Sequence, residues 1–180
     1  MISYGVESGS EKILRNLKKG ITVEDIKRTI FLSKKYGIRS IAYMIVGSPG
    51  ENRNTIRESI RLIQKIKPDY VLYNVLAPDP ASELYRKAAK KNASLNNFYS
   101  DAVFFDANPH WPLYETPEFT KNDIEYWTKK ATRGFYFNFL YIINYLAKIR
   151  SFAEIRIILK GAKMLISDIF FKKRKNVISY

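Results

Sequence analysis

The sequence predicts an α/β protein: three parallel β–α units in succession, then a helical C-terminal extension. Three observations carry this. Short apolar runs at about residues 2–7, 39–46 and 70–76 are each followed by a turn and a helical pattern. Ser40–Gly47 is apolar almost throughout, as a parallel strand covered on both faces requires. Strands alternating with helices imply right-handed crossovers and a parallel sheet.

The elements follow in order. Ile2–Glu7 is a short strand. Thr22, with Asp25 three residues on, sets up a capping box for a helix from Val23 to Tyr36. Ile26, Ile30 and Ser33 keep helical spacing within it, and Gly37 is placed to stop it. Asn52–Ile66 is the second helix, with Ile56, Ile60 and Ile63 on one face and Pro68 after its end. Tyr70–Leu76 is the third strand, and Ser82 can cap a helix to about Lys91. Residues 92–119 change character. They are aromatic and proline-containing without a clear period, and predict a loop segment. Thr120 begins a long helix to about Leu146 or beyond, and a last helix runs from about Phe152 to Phe171. The domain division expected is therefore 1–91, 92–119 and 120–180.

The chain has 31 Lys and Arg against 17 Asp and Glu, a net charge of +14. The excess is densest at the end, where residues 148–180 hold nine basic and two acidic side chains. Zero cysteines exclude disulfides, thiolate zinc sites and cysteine nucleophiles. The longest apolar stretch, Phe135 to Leu146, is too short to span a bilayer, which takes about 20 apolar residues, and it contains Asn138 and Asn144. No secretory pattern opens the chain, so a cytoplasmic protein is the expectation. No nucleic-acid-binding module is recognisable, and no specific nucleic-acid partner is expected.

Three motifs stand at the strand ends. Gly5-Val6-Glu7-Ser8-Gly9-Ser10 closes the first, Gly47-Ser48-Pro49-Gly50-Glu51 the second, and Pro78-Asp79-Pro80-Ala81-Ser82-Glu83-Leu84-Tyr85 follows the third. In this order they resemble the strand-end motifs of the second half of a radical S-adenosylmethionine (SAM) barrel, with Ala81 and Ser82 where that family often has Gly and Thr. The resemblance covers residues 1 to about 91. More loosely, 116–136 is similar to the helical tail of the cobalamin-binding branch. It implies a partial TIM-like (β/α) barrel, the C-terminal portion of a truncated or split protein whose complete form carries out SAM-dependent radical chemistry with a [4Fe-4S] cluster, with cobalamin a further cofactor of the complete protein.

On that resemblance Glu7 and Ser8 face the ribose or methionyl end of SAM. Gly47, Pro49 and Gly50 line the adenine side, largely through backbone groups. Read from the residues alone, Glu7 can equally cap a helix N-terminus, and Gly47–Glu51 is a tight strand-to-helix turn with or without a ligand. Catalytic residues are not identifiable. His110 lies among aromatic neighbours without a ligand cluster, and packing is its expected role.

Iron–sulfur clusters are held chiefly by cysteine thiolates, and this chain has none. No cofactor is therefore expected to bind the chain alone, and no metal site is expected. A half-barrel exposes an inner face, expected to be lined by Tyr43, Ile45, Tyr73 and Val75. A complementary N-terminal half or self-association is the expected cover. A non-catalytic binding or scaffold module is the alternative, with the basic C-terminal helices meeting an anionic membrane surface or simply solvent.

Overall fold

The computed structural model describes residues 1–79, 81–86, 116 and 118–146. They form β1 (Ile2–Glu7), α1 (Glu11–Asn16), α2 (Val23–Lys35), β2 (Ser40–Val46), α3 (Arg53–Ile66), β3 (Tyr70–Val75), α4 (Lys121–Tyr136) and α5 (Phe139–Leu146). The strands make one parallel sheet in the order β1-β2-β3. All three expected strands are present, and each expected pairing is parallel. The chain divides into two compact units, Met1–Phe135 and Tyr136–Tyr180.

The helices start and stop where local chemistry directs. Thr22 Oγ1 accepts from the Asp25 amide while Asp25 accepts from the Thr22 amide. Asn52 and Thr55 cap α3 in the same reciprocal way. Gly37, just past α2, takes φ +66°. Lys67 ends α3 in the left-handed region, φ +46°, before Pro68. The Ser82 hydroxyl accepts from the Tyr85 amide, so the expected cap is formed.

Register sorts the sheet into two faces. Ala42, Met44 and Val46 are buried and pair with Val71, Tyr73 and Val75. On this face Tyr4 reaches Ser33 of α2, Oη to Oγ 2.8 Å. Val46, Ile56, Phe119, Ile124 and Trp127 form a core cluster against which Ile60, Tyr73 and Val75 pack. Ile41, Tyr43 and Ile45 occupy the other face with Tyr70, Leu72 and Asn74. Leu72 and Asn74 are exposed there, and Ile41, Tyr43 and Ile45 are half-buried. The expected inner-face set is thereby corrected. Tyr43 and Ile45 belong to the open face, but Tyr73 and Val75 lie under the helices, because Tyr43 stands opposite Leu72 and not Tyr73.

The helix expected from Thr120 to Leu146 is two helices. α4 ends at Tyr136, and Asn138 restarts the chain by accepting the Tyr141 amide at 3.2 Å. An Asn that can bond its own downstream backbone competes with helix continuation. α4 is also no appendage to the first unit. Ile124, Trp127, Ala131 and Phe135 are buried, Arg53 of α3 pairs with Asp123 at 3.1 Å, and the Arg57 guanidinium stacks 5.3 Å from the Trp127 ring centre. Of the expected loop segment, Thr116 and Phe119 form an antiparallel bridge and Phe119 is buried; the rest of it up to residue 115, His110, the helical continuation to Lys91 and the helix at 152–171 lie outside the described residues.

Candidate functional site

In parallel β–α folds the ligand side is the carboxyl end of the sheet. Here the ends of β1 and β2 bring two turns together. Within β1 the pairing slips between Gly5 and Glu7. Glu7 adopts φ +61°, a left-handed conformation that costs a non-glycine residue of order 1 kcal/mol. A bulge of this kind re-aims a side chain. The Glu7 carboxylate is turned back over Gly5, on the face away from α2, with Lys19 Nζ 2.7 Å from its Oε1.

Gly5 makes the room. A Cβ there would stand 2.5 Å from Glu7 Oε1 and 2.8 Å from Lys19 Nζ. Both are ends of flexible side chains, so Gly5→Ala is expected to keep the fold, with a stability change under about 1 kcal/mol, and to displace the ion pair. A structure of the variant checks this. A pair still at its original distance would show that Gly5 is not what accommodates it.

Ser8 and Gly9 are directed inward. Ser8 is fully buried, its Oγ 3.0 Å from Ser59 Oγ, and the Gly9 amide donates to the same Ser59 oxygen at 2.8 Å. The Ser10 amide in turn donates to Ser8 Oγ. The hydroxyl of Ser8 thus ties the β1 turn to α3, while the carboxylate of Glu7 stays on the open face. Sequence reasoning passed over Gly9 and Ser59. The second glycine of the Gly-x-Glu-Ser-Gly-Ser run was the available signal for Gly9, since a Cβ there would meet Ser59 Cα at 2.6 Å. Nothing local marked Ser59.

Gly47 and Gly50 take φ +91° and +78°, conformations glycine adopts freely. Pro49 between them offers its carbonyl to Asn16 Nδ2 at 2.7 Å, which joins this turn to α1. Glu51, treated in the sequence only as the end of a motif, is the turn's buried anchor. Its Oε2 accepts from the amides of Gly47 at 2.6 Å and Ser48 at 3.2 Å. Its Oε1 and the Ser48 Oγ have no hydrogen-bond partner. Burial pushes the Glu51 carboxyl up to about 7, against the two amides that favour its ionised form.

Among the described residues no group of His, Cys, Asp and Glu could hold a metal ion. The whole sequence has no cysteine, so its residues do not fit an iron–sulfur cluster. The strand ends instead carry one carboxylate paired with one ammonium, two glycine turns, and two buried oxygens without a hydrogen-bond partner.

The fold is a parallel β–α segment, with the Glu7 and Gly47–Gly50 turns at the carboxyl end of its sheet. Residues 1–63 match the model of the Radical SAM superfamily. The chain is 27% identical over 135 residues, 75% of its length, to an uncharacterized methyltransferase of Pyrococcus horikoshii. It is 31% identical over 90 residues, half its length, to the anaerobic magnesium-protoporphyrin IX monomethyl ester cyclase of Rubrivivax gelatinosus. It is 33% identical over 79 residues, 43% of its length, to a probable threonylcarbamoyladenosine tRNA methylthiotransferase of Pyrococcus abyssi. The matched regions cover 28%, 16% and 19% of these relatives.

Proposed function

We propose that this chain supplies the SAM-side, carboxyl-terminal half of a radical SAM barrel of the cobalamin-binding branch, and works with cluster thiolates supplied from outside these 180 residues. The match of residues 1–63 supports the family. The single observation that carries the role is Glu7, held at φ +61° with its carboxylate on the open face at the end of β1. A carboxylate there can accept from ribose hydroxyls or from the methionyl ammonium. The Gly47–Gly50 turn offers backbone groups to the adenine. SAM bound in this position is the source of the radical chemistry once its cluster is present. The activities in the relatives' names diverge, from porphyrin ester cyclisation to tRNA methylthiolation, so the shared SAM chemistry is proposed and no substrate is assigned.

The open face of the sheet, with Ile41, Tyr43, Ile45 and Leu72, is the surface that a complementary half would cover. The test is to co-express the chain with a segment carrying Cys-x-x-x-Cys-x-x-Cys and titrate SAM into the purified assembly. Binding is expected, and Glu7→Ala should weaken it about tenfold or more, the worth of a hydrogen bond to a charged group. Unchanged affinity removes Glu7 from the site, and an assembly that takes up no SAM sinks the proposal. A chain that is monodisperse and monomeric alone, and joins no such segment, favours the self-contained binding module instead.

A further inference from the structure

The second compact unit begins at Tyr136, and its described part is dominated by α5. Between Arg133 and Lys148 the sequence contains no Asp, Glu, Lys or Arg. Phe137, Phe139, Leu140, Ile142 and Ile143 are 48, 73, 58, 39 and 46% exposed. At about 100° per residue, Phe139, Leu140, Ile142 and Ile143 share one arc of roughly 160°. Tyr141 and Tyr145 lie on the opposite side, stacked on each other at 5.7 Å, with Tyr136 edge-on to Tyr141 at 5.5 Å. The helix is therefore two-sided: tyrosine rings pack among themselves, and a continuous Phe/Leu/Ile face meets solvent. A contiguous apolar face of this kind marks an interaction site.

Charge chooses the partner. The sequence from Lys148 onward carries nine Lys and Arg against two Asp and Glu. A second copy would bring two such basic segments together, which like-charge repulsion opposes. An anionic lipid surface attracts the basic segment and offers an acyl layer to the apolar arc, and buried apolar area and electrostatic attraction add in membrane-surface binding. No described helix is long and apolar enough to cross a membrane. We propose that α5 docks in the headgroup–acyl boundary of an anionic membrane. Its Phe139/Leu140/Ile142/Ile143 arc points into the acyl region, and the basic sequence after it provides the electrostatic attraction. This placement is independent of the SAM reading.

The experiment is flotation of the full chain with vesicles of phosphatidylcholine alone or mixed with phosphatidylglycerol. The wild type is expected to float with the mixed vesicles, and about tenfold or more weakly with the neutral ones or in high salt. Leu140→Gln/Ile143→Gln should cut flotation by about tenfold or more, since two apolar side chains lose their burial. Phe139→Trp, which keeps the face apolar, should shift its emission to the blue on mixed vesicles only. No flotation of the wild type overturns the proposal. So does equal flotation of the double variant with native circular dichroism, or a bound Phe139→Trp protein whose emission does not move. Concentration-dependent self-association abolished by the double variant, without vesicle binding, assigns the face to a second copy.

Discussion

Gly9→Ala is expected to destabilise the chain by about 3 kcal/mol, at the upper end of what overpacking usually costs. The reason is the neighbour it would meet. The new methyl would lie 2.6 Å from Ser59 Cα, 2.8 Å from the Glu58 carbonyl oxygen and 2.9 Å from Leu62 Cβ. Two of these are backbone atoms of a packed helix and cannot swing aside. Moving α3 away would also stretch the Ser8–Ser59 and Gly9–Ser59 hydrogen bonds. Gly134 is the control. It lies within α4, and a Cβ there meets nothing within 4 Å. Gly134→Ala should therefore raise stability by about 1 kcal/mol, the helix-propensity difference. Denaturant titration of both variants decides the matter. Equal, small effects would mean that the β1 turn does not press on α3.

Glu51 gives the second large effect. Its carboxyl titrates near 4.5 in the unfolded chain and at about 7 in the folded one. Between those values the folded state holds a proton that the unfolded state has released. The Glu51 contribution to stability is therefore greatest below about pH 4.5, falls as pH rises through the window, and levels off above about 7. The difference corresponds to about 3 kcal/mol. Glu51→Gln removes the titration while keeping an acceptor for the Gly47 and Ser48 amides. It should flatten the pH profile over this interval and exceed the wild type at pH 8. Asp25 and Asp123 do not confuse the reading. Hydrogen bonds from Thr22 and Thr120 lower both carboxyls below 3.8. The stability they lend is lost only as pH falls through their lowered values, beneath the Glu51 window. Parallel stability–pH curves for the wild type and Glu51→Gln would refute the assignment.

What the sequence made legible follows from how local each cause is. Thr22 with Asp25, Asn52 ahead of α3, Gly37 and Pro68 act within a few residues, and they placed α2 and α3 to within a residue or two. The strands were legible because β2 and most of β3 are apolar, although only one face of each is buried. That same uniformity hid which face each residue joins. Tyr43 and Tyr73 look alike in sequence, and only the register between β2 and β3 separates them. At the site, Glu7 and the glycine turn were visible as motifs. The direction of Ser8 was not, because Ser59, the residue that turns it inward, stands fifty-one positions away. The orphaned Glu51 Oε1 and the Arg57–Trp127 stack are likewise products of tertiary packing.

The seating of Phe119, Ile124 and Trp127 beside Val46 and Ile56 has a consequence for how the chain is made. The last described strand ends at Val75, but part of the sheet's cover is translated only from Phe119 onward. At about 5–20 residues per second a ribosome takes roughly 2–9 s over that interval. During it the nascent β–α units must wait, with Val46 and Ile56 uncovered, for a helix that has not yet been synthesised.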